Sequence, residues 1–93
     1  MIRRARDKLT GQVRVTFALP AEVGAGAVSV VGDFNDWTPG RHPLVKRANG
    51  TRSTVGSLPA GTGTRFRYLA DGGRWFDDQD ADRIDAHGCV LQV

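Results

Sequence analysis

Turn-forming residues break this chain about every ten positions, and no stretch between them keeps a helical period. Thr38-Pro39-Gly40, Asn49-Gly50, the run 59–63 and Asp71-Gly72-Gly73 separate short apolar segments. Gly reaches backbone conformations closed to other residues, while Pro and Asn fix turns through ring and side chain. A chain cut so often must bury its apolar residues on short strands. Val13, Val15, Phe17 and Leu19 alternate with Arg14, Thr16 and Ala18, the two-residue period of a half-buried strand ending at Pro20. Residues 21–27, rich in Gly and Ala, read as a loop too short and interrupted for a helix. Thr64, Phe66, Tyr68 and Ala70 share another strand face, which leaves Arg65, Arg67 and Leu69 on the opposite one. Asn49-Gly50, between 44–46 and 51–58, predicts a hairpin closed by a type I′ turn. A polar loop over 77–87 and a last strand over 90–93 complete about seven strands. The pattern is that of an all-β chain, an antiparallel β-sandwich with Val15, Phe17, Val30, Phe34, Phe66 and Tyr68 in its core.

Ninety-three residues, 40% of them apolar, suffice for one modest core, placed in residues 11–93. Residues 1–14 hold Arg3, Arg4, Arg6, Lys8 and Arg14 against Asp7, a net of +4. The whole chain is +3, so the remainder is −1. Residues 1–10 therefore read as a basic, flexible tail on a nearly neutral domain. Binding of nucleic acid through such a tail would be sequence-independent and salt-sensitive, so no specific nucleic-acid partner is expected. No run approaches the ~20 apolar residues of a membrane span, and the N-terminus lacks the apolar centre of a signal peptide. Cys89 stands alone and cannot form an internal disulfide. These features set the expectation of a cytoplasmic protein with no membrane partner.

The stretch Val28-Ser29-Val30-Val31-Gly32-Asp33-Phe34-Asn35-Asp36-Trp37 starts as a buried strand and ends by delivering a Trp just past a corner. Gly32 opens that corner, and Asn35 and Asp36 can hold it through their side chains. Trp75 follows the turn at Asp71-Gly72-Gly73 in a similar setting. With Phe66, Tyr68 and Phe76 turned inward, Arg67 and Trp75 point out of the sandwich. Flat indoles suit the C–H faces of a sugar, and a long cationic donor reaches its hydroxyls. Burial of both tryptophans in the core is the competing reading of the same residues.

G-D-F-N-D-W followed by F-R-Y-L-A-D-G-G-R-W resembles the glycogen-binding domain of the AMP-activated protein kinase β subunit. It is also similar to the early-set domains of branching and debranching enzymes, carbohydrate-binding module family 48. The likeness covers roughly residues 10–93 and implies an immunoglobulin-like early-set sandwich. By the same resemblance, the function is non-catalytic binding of an α-glucan: glycogen, starch or a maltooligosaccharide. Trp37 and Trp75 match the family's stacking tryptophans. Arg67 falls where the kinase domains carry a sugar-bonding lysine, and Ile84 near a leucine that packs through the sugar ring. Ala86 and Gly88 depart from the family pattern, standing where polar residues bond glucose hydroxyls. The implied partners are the glucan itself and a separate glucan-active enzyme or kinase-like protein; no cofactor is implied.

Other constellations are poor. Asp78, Asp80 and Asp82 imitate the start of a calcium loop, but Arg83 and Cys89 occupy the positions that need Gly and Glu. His42 and His87 share no metal-ligand spacing with Cys89, and no catalytic motif surrounds any of the three. Asp77 and Asp78 are adjacent, unlike the facing acids of a glycosidase. Cys89 reads as a small buried hydrophobe. The chain is thus read as a binding module and not an enzyme. The alternative left open is a β-sandwich protein-interaction domain without sugar binding, in which Trp37 and Trp75 form an anchor patch.

Overall fold

The computed structural model describes residues 1–22 and 26–93, so the loop expected over 21–27 lies partly outside the described residues. Strands β1 (Ile2–Asp7), β2 (Gln12–Pro20), β5 (Val45–Lys46) and β6 (Thr51–Pro59) form one sheet in the order β1-β2-β6-β5. The second sheet joins β3 (Val28–Gly32), β4 (His42–Pro43), β7 (Gly63–Ala70), β9 (Arg83–Asp85) and β10 (Gly88–Gln92) in the order β4-β3-β7-β10-β9. Strand β8 (Arg74–Phe76) also pairs with β7. Every pairing among the described residues is antiparallel. A single 3₁₀ turn, Asp33–Asn35, is the only helical element among the described residues. The all-β sandwich is therefore as the sequence pattern predicts, and matches an immunoglobulin-like early-set fold. No helix of the described residues is long and apolar enough to cross a membrane.

The core follows from alternation. Val13, Val15, Phe17 and Leu19 of β2 face Phe66, Tyr68 and Ala70 of β7 and Cys89 and Leu91 of β10, all buried. Phe17 and Phe66 meet edge to face at 5.0 Å, and Phe34 stacks on Phe17 at 5.6 Å while remaining partly buried. Each fully buried Phe or Leu here contributes about 2–3 kcal/mol relative to exposure. Arg65 and Arg67 take the opposite face of β7, as expected.

Three expectations are corrected. Residues 1–10 are not a free tail: Ile2 to Asp7 pair in register with Phe17 to Gln12, and Ile2 packs against the core. Four arginine and aspartate side chains hid this strand from the sequence, because an edge strand tolerates charge on both sides of its alternation. The Asn49-Gly50 hairpin is not type I′, since Gly50 alone takes positive φ (81°). Gly50 N–H donates to Arg47 C=O and Arg47 N–H to Thr51 C=O, a tight turn followed by one left-handed residue. Gly32 is extended and needs no special φ; a Cβ there would collide with Arg65 C=O and sit 2.8 Å from the Phe66 Cβ.

The segment 77–87 is also more structured than a polar loop, since it contains β9. Asp78 is buried and accepts the Tyr68 hydroxyl at 2.6 Å; burial first, and that bond in support, raise the Tyr68 pKa far above its ordinary value. Asp82 ties the two sheets at their edge. It accepts the Gln92 N–H (2.7 Å) from β10 and the Arg4 guanidinium (2.9 Å) from β1, and Arg4 Nε also donates to Gln92 C=O. The Gln92 N–H first, and Arg4 in support, hold the Asp82 carboxyl below the usual carboxylate range.

A folded-state pKa below the unfolded one gives stability that is present above pH 4 and lost on acidification. Asp82→Ala should therefore cost about 1 kcal/mol at pH 7, a figure kept small because both partners are partly exposed. Denaturant titrations below pH 4 should show that gap closing.

Candidate functional site

The corner after β3 is built around one buried amide. Asn35 is 3% exposed; its Oδ1 accepts the Gly32 N–H, and its Nδ2 donates to Val30 C=O and to His42 Nδ1, each at 3.0 Å. With Oδ1 taken by Gly32, the amide nitrogen faces the imidazole, so His42 Nδ1 is the acceptor and the ring is neutral. Desolvation, reinforced by neighbouring Arg41, holds the His42 pKa below its ordinary value. The His42 ring also meets Phe34 edge to face at 5.0 Å, so the corner is tied to the core.

This corner forces Asp36 and Trp37 into the left-handed region, both at φ 55°. Left-handed backbone costs an ordinary residue roughly 1–2 kcal/mol, and for a bulky one it is a genuine outlier. Trp37 N–H donates to Gly32 C=O (2.9 Å) and Thr38 N–H to Asn35 C=O (3.1 Å), which hold the strained turn. The consequence is an indole 37% exposed instead of buried. Its Nε1–H donates to Asp33 Oδ1 at 2.8 Å, while Asp33 Oδ2 accepts the Arg65 backbone N–H at 3.0 Å. A single carboxylate thus pins Trp37 beside β7. No sequence signal marks this role, because Asp33 reads there as one more residue of the corner.

Trp75, on β8, lies opposite Leu69 of β7, on the face away from the core, and is 45% exposed. Leu69 and Arg65 are four residues apart, about 13 Å along the strand at about 3.3 Å per residue. Arg67 lies midway between them. Its Nε donates to Asp77 Oδ1 (3.1 Å), and its terminal nitrogens make no hydrogen bond among the described residues. Val31, opposite Arg67, is fully buried yet belongs to the outer face by alternation, so the side chains around Arg67 cover an apolar floor.

Gly88 makes room for this arginine. A Cβ there would come within 2.9 Å of the Arg67 Cγ and 3.0 Å of Phe66 C=O. Ala86 is exposed and Gly88 buried, and neither brings a polar side chain to this face. A shallow groove of about 410 Å³, lined in part by Ser29, Pro43, Leu69 and Gly72, continues the outer face beyond Leu69.

Ile84 is placed differently from expectation. Register sets it opposite Cys89, whose side chain faces the core, so Ile84 sits at the sheet margin on the core side, 41% exposed. Strand alternation gives the outer face Asp85 instead, which accepts Arg65 at 2.7 and 2.8 Å and is held below the usual carboxylate range by that bond. The structure therefore brings Trp37, Arg67 and Trp75 along one stretch of β7 and does not bring Ile84 to them. Among the described residues no cluster of three His, Cys, Asp or Glu is arranged to hold a metal. The buried Cys89 thiol is pushed up to about 11, chiefly by desolvation.

Two outcomes test the corner. If the left-handed backbone at Trp37 is strained, Trp37→Gly should be more stable than Trp37→Ala by about 1 kcal/mol, the reverse of the usual order, as read by chemical denaturation. Because the His42 pKa is lowered on folding, its contribution is present above the unfolded value of 6.5 and fades as pH falls below it. Thermal melts should lose midpoint between pH 7 and 5, and His42→Gln should flatten that slope.

No protein-family model matches this chain. It is 34% identical over 83 residues to the 1,4-alpha-glucan branching enzyme GlgB of Aquifex aeolicus, covering 82% of this chain and 13% of that protein. It is 48% identical over 52 residues to the 1,4-alpha-glucan branching enzyme GlgB 2 of Xanthomonas campestris pv. campestris, covering 52% of this chain and 7% of the relative. The chain thus spans a small fraction of the curated relatives it matches. The likeness supports a domain of the carbohydrate-binding module family 48 type, related to segments of α-glucan branching enzymes.

Proposed function

We propose that this domain is a non-catalytic α-glucan-binding module that takes sugar rings on Trp37 and Trp75 with Arg67 between them. The observation that carries the reading is the arrangement along β7: two exposed indoles flank a guanidinium whose terminal nitrogens have no partner among the described residues. The strained backbone at Trp37 supports it, since strain of this kind concentrates at ligand clamps. The similarity to branching enzymes supports the choice of α-glucan over other sugars. A non-catalytic role fits the side chains available: the thiol is buried and hard to ionise, and Asp77 and Asp85 are engaged with arginines. Delivery of a glucan-active enzyme to its polymer is the role such a module would serve, and the lone buried thiol suits a reducing, cytoplasmic setting.

Two indoles each burying about 100 Å² of apolar sugar surface supply at most ~5 kcal/mol at ~25 cal/mol/Å². Association costs at least ~4 kcal/mol, so a single site binds weakly and relies on rebinding along a polymer. An NMR titration of labelled protein with maltoheptaose should show saturable shifts at both indole N–H signals. Trp37→Ala and Trp75→Ala should each remove about 1–3 kcal/mol of binding while leaving the domain folded. Arg67→Lys should keep much of the affinity and Arg67→Ala should not. Ile84→Ala should change little, given its place on the core side of the sheet edge. A folded wild type that shows no shift at millimolar maltoheptaose would reject sugar binding and turn the indole pair into a protein-anchoring patch.

A further inference from the structure

Charge is divided between the two sheets. Residues 1–20 and 45–59, the strands and turns of the first sheet, hold eight of the thirteen Lys and Arg residues and one acid, Asp7, a net of +7. The rest of the chain holds five cations and nine acids, a net of −4. The basic N-terminal residues are folded into this sheet, not carried on a tail: register puts Arg3 and Arg14 on its outward face, while Arg4, Arg6 and Arg52 lie opposite the core residues Val15, Val13 and Leu19. The outward face lies on the opposite side of the sandwich from Arg67 and Trp75.

A concavity of about 510 Å³ sits on this basic face. Arg3 of β1 lies opposite Thr16 of β2, and Ala18 opposite Ser53 of β6, so these four line one wall and floor. Arg47 closes the other side, its guanidinium fixed by donation from Nε to the Ser53 hydroxyl at 2.9 Å and from a terminal nitrogen to Ser53 C=O. Asn49 also lines it; its Oδ1 already accepts from the Thr51 N–H and hydroxyl, which leaves its amide as a donor. Among the described residues no carboxylate lines the concavity, and neither Arg3 nor Arg47 has an acidic partner. Asp7, the one acid of this sheet, is four residues from Arg3, about 13 Å along β1.

We infer that this concavity is a phosphate-binding site for a small phosphate monoester or inorganic phosphate. Two guanidiniums match a doubly charged tetrahedral oxyanion, which needs many donors and no acceptors. The volume falls in the range of small-molecule sites. A nucleic-acid strand fits less well, because single-strand surfaces stack bases on aromatic side chains and none lines this face. The inference is independent of sugar binding on the other sheet.

The test is an NMR titration of the labelled chain at constant ionic strength with inorganic phosphate, methyl phosphate, glucose and a short oligothymidylate. Saturable millimolar shifts at Thr16, Ala18, Arg47 and Ser53, with either phosphate compound and not with glucose, are expected. The indole signals of Trp37 and Trp75 should stay still. A preference for methyl phosphate over inorganic phosphate would identify a monoester as the ligand; the reverse preference would identify the free ion. Arg3→Ala and Arg47→Lys should each weaken binding roughly tenfold, the scale of one charge-assisted contact. Arg14→Ala, on the same face but outside the concavity, should not. Arg3 sits on an outer strand, so its variant remains decisive if changes at Arg47 disturb the hairpin. The inference is overturned by shifts that grow without saturating, by an equal effect of Arg14→Ala, or by oligothymidylate binding more tightly with shifts spread along β1 and β2.

Discussion

The buried amide of Asn35 is the interaction on which the rest of this structure depends. Its three hydrogen bonds close the end of β3 onto itself and tie it to His42 on β4. Leaving such groups unpaired inside a protein would cost about 1–3 kcal/mol each, so the corner is satisfied as a unit or not at all. Because Asn35 fixes the backbone from Gly32 onward, the next two residues have no choice but the left-handed region, and Trp37 is carried to the rim. Phe34, one residue earlier, is sent the other way to stack on Phe17. Core and candidate site are therefore consequences of one turn.

β7 supplies the second half of the arrangement by alternation alone. Its inward residues, Thr64, Phe66, Tyr68 and Ala70, are buried, and its outward residues include Arg65 and Arg67. The two outward arginines are used differently. Arg65 is held through its side chain by Asp85 and through its backbone by Asp33, which also holds the Trp37 indole. Among the described residues, Arg67 is held at Nε only. The first is committed to structure, and the second keeps donors free at the centre of the face.

Much of this was legible in the residues. The two-residue period of β2 and β7 gave the sandwich and its core, because alternation decides which side chains are buried before any pairing is known. The outward placement of Arg67 and Trp75 followed from the same rule. What was not legible depended on pairing. β1 looked like a charged tail, since its stability comes from hydrogen bonds to β2 and from the reach of Arg4 to Asp82 and Gln92, 78 and 88 residues away. Ile84 was named a site residue only through its resemblance to a family leucine, and a sequence position does not state which sheet face a short edge strand presents; its partner Cys89 does. The hairpin at Asn49-Gly50 was located correctly and typed wrongly, since loop length depends on where the ladder ends.

The folding of the N-terminal segment onto β2 also changes what its charge means. On a tail, the four cations of residues 1–10 would form a diffuse cloud, felt over a Debye length of about 10 Å and weakened by salt. On a strand, register fixes Arg3 against Thr16 and leaves Arg4 to reach across to Asp82, so adjacent arginines have separate tasks. One joins the sheets, and the other faces solvent on the side away from the indoles. Alternation thus converts a run of like charge into one structural contact and one surface donor. The neighbouring hairpin then adds Arg47, held in place by Ser53, so the cationic face acquires a concave centre instead of a uniform field. Where charge sits in the folded chain, and not its sum, is what separates the two faces of this domain.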